Sequence, residues 1–400
     1  MKQLLFSIFL VCLCSCSQTN KTKIQHEQKD TLSIIDLSSV EYSDEPIKLS
    51  EFVDSISYIF LDETPLISNL YNTGLAVSDS AIFIDQAYIY KYTLDGKYRK
   101  SLFNKGQGPK DVVKATKAAY DFKRNIVSVE NNSGSTFRIY TLEGKHIGDV
   151  PKSETSEWYK HIIAHVNGYE VYYNSMGVRP MKGDTVNFDG PYFIFARDTK
   201  ADTLIYRQPN YHYDIKGVVQ RAILRDEGYP LCYGHNDSAF WWKHQSVDTI
   251  YRTTNFKGVH PWLVIKKNKT FTDYELCVHR TLCDIPEEDF ARKLIGTVYP
   301  IGNGVLFTII GDGDTGSGAG YCRINGKALT FSLDGFINDI DDHFKFWKPY
   351  NVLGGRGWIK DGYLYSMMNA SDFFEEGCKP PFPDLEEDSN PVIVRLKLKK

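Results

Sequence analysis

Asp312 and Asp314 stand two residues apart in the run Gly311-Asp312-Gly313-Asp314-Thr315-Gly316-Ser317-Gly318, a spacing that can begin a calcium site. Hard cations take oxygen ligands, and a glycine-rich loop can wrap its acids around one. An EF-hand also needs an oxygen donor where Gly316 stands and a late Glu, and neither is present, so the competing reading is a mobile hairpin loop. His161 and His165 would share one face of a helix as a zinc pair, but their surroundings read as strand. Asp341-Asp342-His343 offers a carboxylate beside an imidazole, a pattern shared with ordinary solvated loops. Gly106-Gln107-Gly108-Pro109 lacks the Gly-Lys-Ser/Thr ending of a phosphate loop and reads as a turn. There is no nucleophile elbow, no H-E-x-x-H and no C-x-x-C. No catalytic residue is therefore assigned, no metal site beyond the Asp312 and Asp314 candidates, and no cofactor. Trp241 and Trp242 are the candidate ligand-binding residues, since indole faces stack on sugars or anchor partners; packing within the fold is the alternative use of such rings.

Cys16 carries a different chemistry. Lys2 supplies a positive n-region and Leu4 to Val11 an apolar stretch too short to span a bilayer as a mature helix, which together form a secretion signal. Leu13-Cys14-Ser15-Cys16 then resembles the bacterial lipoprotein box, in which the last Cys is acylated and becomes the new N-terminus. Two or three acyl chains, at about 0.8 kcal/mol per buried CH₂, hold a protein stably on a membrane. Residues 1–15 are thus expected to be a lipoprotein signal peptide, with the membrane as first partner through the lipid on Cys16. By resemblance to lipoprotein sorting, Ser17 in place of an Asp implies the outer membrane, and the absence of acids directly after Cys16 favours its periplasmic face over the cell surface. The polar run from Gln18 to about Asp30 reads as a tether. Cys232, Cys277, Cys283, Cys322 and Cys378 are left, an odd number, so at least one stays free or pairs between chains.

Elements must position any such groups, and composition selects their kind. The chain has 400 residues, 42% hydrophobic and 24% charged, enough to bury a large core. Its 26 Tyr and 23 Phe against 5 Met favour strands over helical bundles. A net charge of −3 with no basic stripe excludes nucleic acid as the main partner. Two segments repeat one grammar: Ile89-Tyr90-Lys91-Tyr92-Thr93-Leu94-Asp95-Gly96-Lys97 and Phe137-Arg138-Ile139-Tyr140-Thr141-Leu142-Glu143-Gly144-Lys145. Leu94 and Leu142 stand 48 residues apart, and each run ends at an acid-Gly pair suited to a tight turn. The pattern of strand, loop, strand, turn and strand continues with falling fidelity to make six units. Six small sheets around an axis protect their edges, so the expectation is an all-β, six-bladed β-propeller over residues 52–400, preceded by a tether and lead-in over 16–51. Ser57-Tyr58-Ile59-Phe60-Leu61 is placed to complete the last sheet and close the ring. A short helical insertion is expected between units four and five, from the capping box Thr272-Asp273-Tyr274-Glu275 and from Pro286-Glu287-Glu288-Asp289-Phe290.

Tyr58-Ile59-Phe60-Leu61-Asp62-Glu63-Thr64, Leu66-Ile67, Ile82-Phe83-Ile84-Asp85, Leu94-Asp95-Gly96-Lys97, Gly106-Gln107-Gly108-Pro109 and Asn390-Pro391-Val392-Ile393-Val394 resemble the six-bladed β-propeller lipoproteins of Bacteroidetes-type bacteria. Lys110-Asp111 departs from the Gly-Glu usual in that family after Gly-Pro. The resemblance implies the fold and the envelope compartment. The function expected on this basis is binding or scaffolding, with a glycan, a peptide or an envelope protein held in the funnel at one end of the ring. The rival is a metal-assisted hydrolase or lyase in the same funnel, since propellers bring catalytic groups together from different blades and linear spacing cannot register them.

Overall fold

The computed structural model describes residues 32–38, 45–67, 70, 73–113, 115–131, 136–151, 160–174, 179–180, 186–187, 192–200, 203–209, 231–236, 238–244, 248–267, 294–310, 318–326, 335–348 and 357–400. Within them the chain is a β-propeller whose sheets follow one another in sequence order. The first blade is the antiparallel meander Gly74–Val77, Ile82–Asp85, Ile89–Tyr92 and Tyr98–Ser101; the second is Ala115–Asp121, Ile126–Asn131, Thr136–Thr141 and His146–Pro151. Lys160–Val166, Tyr169–Asn174, Tyr192–Asp198 and Thr203–Pro209 make the third, with Arg179–Pro180 and Val186–Asn187 paired in an excursion from it. In the fourth, Leu231–His235, Phe240–His244, Thr249–Thr253 and His260–Lys266 are joined at the outer edge by Ser33–Asp36, which runs parallel to the last of them. The fifth is Leu294–Ile301, Gly304–Ile310 and Gly318–Arg323. The sixth pairs Ile47–Lys48 with Phe336–Ile337 and that with Phe346–Trp347. The seventh is Trp358–Lys360, Tyr363–Met368, Val392–Leu398 and Val53–Ile59.

Seven blades replace the six expected. The additional one is built from two-residue strands, one of them taken from the N-terminal side, and such strands are too short to show the alternation by which units are counted. Part of the expected lead-in is likewise built into the ring, as Ser33–Asp36 of the fourth blade and Ile47–Lys48 of the sixth. The helical insertion expected at Thr272 to Phe290 lies outside the described residues. Among those described there is no α-helix; 3-10 turns include Leu49–Glu51 and Ala370–Phe373, and no helix is long and apolar enough to cross a membrane.

The repeat seen in the sequence is real at atomic detail. Gly96 takes φ +89° and Gly144 φ +81°, a region that glycine enters without penalty. The amide of Gly96 donates to Thr93 O at 3.1 Å and that of Thr93 to Lys97 O at 2.9 Å; 48 residues on, Gly144 donates to Thr141 O and Thr141 to Lys145 O, both at 2.8 Å. In both turns the lysine amide donates to the threonine Oγ1 at 3.0 Å. Each turn also seats against chain preceding its own blade, and a Cβ would lie 1.9 Å from Phe60 O at Gly96 and 2.4 Å from Leu102 O at Gly144.

The ring closes as the sequence led us to expect. Val53–Ile59 pairs antiparallel with Val392–Leu398, with Ile59 opposite Ile393 and Ser57 opposite Arg395. Val392, Val394 and Leu396 are fully buried in one core with Val53, and Ile393 is fully buried in a second with Ile59, so the two closing strands share both cores. Buried Asn390 pins the loop after Val53–Ile59: its Oδ1 accepts from the Ile67 amide at 2.7 Å, and its Nδ2 donates to Asp62 O at 2.7 Å and Pro65 O at 2.9 Å.

Candidate axial site

The first strands of neighbouring blades lie side by side: Ala115–Asp121 against Lys160–Val166, Leu231–His235 against Leu294–Ile301, and Trp358–Lys360 against Gly74–Val77. Side chains from their ends therefore meet. The Trp358 ring of the seventh blade stands edge-on to His235 of the fourth at 5.2 Å and to Phe122 of the second at 5.6 Å. Phe122 stacks on Tyr120 at 5.7 Å and on Phe83 of the first blade at 5.9 Å, and Tyr120 and Phe83 stand 5.4 Å apart. The Tyr120 hydroxyl donates to Oδ1 of Asp85, two residues beyond Phe83 on the same face of its strand. Phe83, Tyr120 and Trp358 are buried, whereas Asp85, Phe122 and His235 keep some accessible surface although they lie among strands of four blades.

Depth sets the electrostatics. Burial pushes the Asp85 carboxyl up to about 7, and the Tyr120 hydrogen bond opposes it only in part. Burial also raises the Tyr120 phenol, reinforced by the neighbouring Asp85 charge. His235 is lowered to about 4 by burial alone, so its ring is neutral at physiological pH. The site thus presents one carboxyl poised near neutrality, one neutral imidazole and a bank of aromatic rings.

A second imidazole is locked beside it. His165 Nδ1 lies 3.1 Å from Nη2 of Arg124, and its Nε2 lies 2.9 Å from Ser128 Oγ. A guanidinium can only donate, so Nδ1 is the bare acceptor, the proton sits on Nε2, and Ser128 accepts it. Arg124 is held in turn by Asp121, with Nε to Oδ2 at 2.6 Å and the Arg124 amide to Oδ1 at 2.8 Å. Burial and then the Arg124 charge lower His165 to about 3. Both ring nitrogens are occupied, which leaves this histidine no lone pair for zinc. The side chain of His161 lies outside the described residues.

Asp312, Asp314 and Cys16 lie outside the described residues. Trp242 is buried and stacks on Tyr251 at 5.7 Å and Phe256 at 6.4 Å. Trp241 is buried against Tyr299 at 5.8 Å and lies over Gly234, where a Cβ would come within 2.6 Å of the indole. Neither offers an open ring face. Asp341 accepts from the Tyr58 hydroxyl at 2.7 Å and Asn338 Nδ2 at 2.7 Å, while His343 Nδ1 lies 2.6 Å from Lys379 O, so this cluster ties a loop together. Asp111 Oδ2 accepts from the Gly108 amide at 3.1 Å and would lie 2.4 Å from a Cβ at Gly106; the acid clamps the glycine turn. Cys322 and Cys378 are free thiols. Among the described residues no group of three or more His, Cys, Asp or Glu side chains is arranged to hold a metal ion. Asp85, Tyr120 and His235 were not singled out from the sequence; the one available signal was an acid ending the apolar run Ile82-Phe83-Ile84-Asp85.

Comparison with known proteins agrees with the architecture. A Bacteroides fragilis protein assigned as exported aligns over 92% of this chain and 100% of its own at 12% identity, with a TM-score of 0.63. A member of the DUF4221 family from Bacteroides vulgatus aligns over 89% of this chain and 99% of its own at 10% identity, with a TM-score of 0.51. At these identities the likeness is one of fold. No curated protein matches the chain. The family described as "Domain of unknown function (DUF4934)" matches residues 32–397, nearly the whole of the described fold, and it is to this family that the chain belongs.

Proposed function

We propose that this protein is an exported, lipid-anchored propeller of the cell envelope that binds a ligand at the axial cluster, as a binding or scaffold protein and not as a catalyst. The observation that carries the reading is the convergence of Asp85, Phe122 and His235, from three blades, on a site that stays partly accessible within the ring. Polar groups left accessible among packed aromatic rings are the usual makings of a small-molecule site. Glycans, peptides and segments of envelope proteins are the ligand classes to try. The signal segment and Cys16 support export and anchoring to the outer membrane on its periplasmic face, and the exported Bacteroides fragilis relative of the same fold is in keeping with them.

The test is a thermal-shift screen of the mature protein against oligosaccharides, peptides and small envelope metabolites, repeated with Phe122→Ala and His235→Ala. Hits that raise the melting temperature of the wild type and lose their effect in both variants support the axial site. Hits indifferent to both variants place binding elsewhere and overturn it.

A further inference from the structure

We infer that the axial site takes an organic ammonium group, with Asp85 as its counter-charge and the surrounding rings as its wall. The inference rests on the reading of the axial cluster as a ligand site and names the chemistry of what enters it.

The charge at Asp85 is unbalanced. Tyr120 donates to Oδ1 of Asp85; among the described residues Oδ2 has no hydrogen-bond partner and the carboxylate no cationic one. Of the cations around the cluster, Arg124 is committed to Asp121 and His165, and Lys91, 5.8 Å from the Phe83 ring centre, is committed to Glu143 and Leu142 O; the His165 and His235 rings are neutral. A carboxylate drawn away from water without a counter-charge is costly, and a cation entering the site relieves that cost. Gly74 pairs across the sheet with Asp85, and a Cβ there would lie 3.1 Å from Oδ2, so glycine leaves the free oxygen uncrowded.

The kind of cation follows from the rest of the wall. Calcium and magnesium require several oxygen ligands, and this site offers one carboxylate and a phenol already used as a donor. An anion would meet the Asp85 charge head-on. Phe122 instead presents an accessible aromatic ring, backed by the buried rings of Phe83, Tyr120 and Trp358 at centroid separations of 5.4 to 5.9 Å. Ring quadrupoles attract a positive charge that carries its own apolar surface, which describes a primary or quaternary amine and not a hydrated metal ion.

The experiment is calorimetric titration of the mature protein at pH 8 with methylammonium, with choline, with the neutral isostere of choline in which carbon replaces nitrogen, and with magnesium. We expect one of the ammonium probes to bind about tenfold or more tighter than the neutral isostere, in line with a partly desolvated cation–π and charge contact. Asp85→Asn, which keeps the shape and the acceptor for Tyr120, should erase that preference while melting no lower than the wild type. Failure of both ammonium probes to bind at millimolar concentration, equal affinity for choline and its isostere, a preference that survives Asp85→Asn, or magnesium binding that displaces choline would each overturn the inference. If choline and isostere bind equally and Phe122→Ala weakens both, the axial site stands as a binding site and only its charge class falls.

Discussion

The protonation of Asp85 is coupled to the fold. Its carboxyl titrates at about 7 in the folded chain and at about 4 in an unfolded one, so between those limits the folded state holds the proton more firmly. Stability from this group is complete below about pH 4 and declines as the pH rises through about 7. Asp85→Asn should therefore stabilise the protein by on the order of 1–3 kcal/mol at pH 8, with the gain shrinking on acidification and gone below about pH 4; denaturant melts across that range measure it. His165 and His235 act in the opposite direction. Held at about 3 and about 4, they stay neutral in the fold while an unfolded chain protonates them near 6.5, so stability is lost as pH falls from about 6.5 to about 4 for His235 and to about 3 for His165. NMR of the imidazole carbons should show neither ring titrating between pH 8 and 5. His235→Phe, which keeps a ring against Trp358, should flatten the acid side of the stability profile.

Among the elements, the clasp at Asn390 and the glycine turns do the most with the fewest atoms. Asn390 satisfies three backbone groups of the loop Asp62 to Ile67, so Asn390→Ala leaves an amide and two carbonyls without their partner. We expect a loss of roughly 2–4 kcal/mol, read from urea unfolding, with faster hydrogen exchange at the Ile67 amide. The residues that carry the family resemblance at the two ends of the chain, Asp62 to Ile67 and Asn390-Pro391, thus meet in one hydrogen-bonded unit. Gly96→Ala combines an unfavourable positive φ with a Cβ driven into Phe60 O and should cost roughly 2–3 kcal/mol by the same assay. Gly96 was legible in advance as a turn glycine, and Asn390 as one of the residues that carry the family resemblance. The bonds they make were not, because their partners come from other blades.

The described residues form a ring locked by the pairing of Val53–Ile59 with Val392–Leu398 and, on our proposal, held at a membrane. A chain stopped after Asn390 lacks the strand that lies between Tyr363–Met368 and Val53–Ile59, and it should show no cooperative thermal transition by circular dichroism. Cys16→Ala should move the protein from the membrane fraction to the soluble periplasmic fraction; unchanged membrane retention would contradict acylation at that residue.

Strand type, turn chemistry, the 48-residue repeat and the closing strand were all readable along the chain, because alternation, acid-Gly pairs and β-rich runs act over a few residues. The blade count and the axial site were not. A two-residue strand has no period to detect, and Asp85 is separated from Tyr120 by 35 residues and lies still farther along the chain from His235 and Trp358, so only closure of the ring brings them together. Burial likewise exists only after that closure. It turned an acid at the end of an apolar run into a carboxyl poised near neutrality, and it packed Trp241 and Trp242, the most conspicuous rings in the sequence, into the interior.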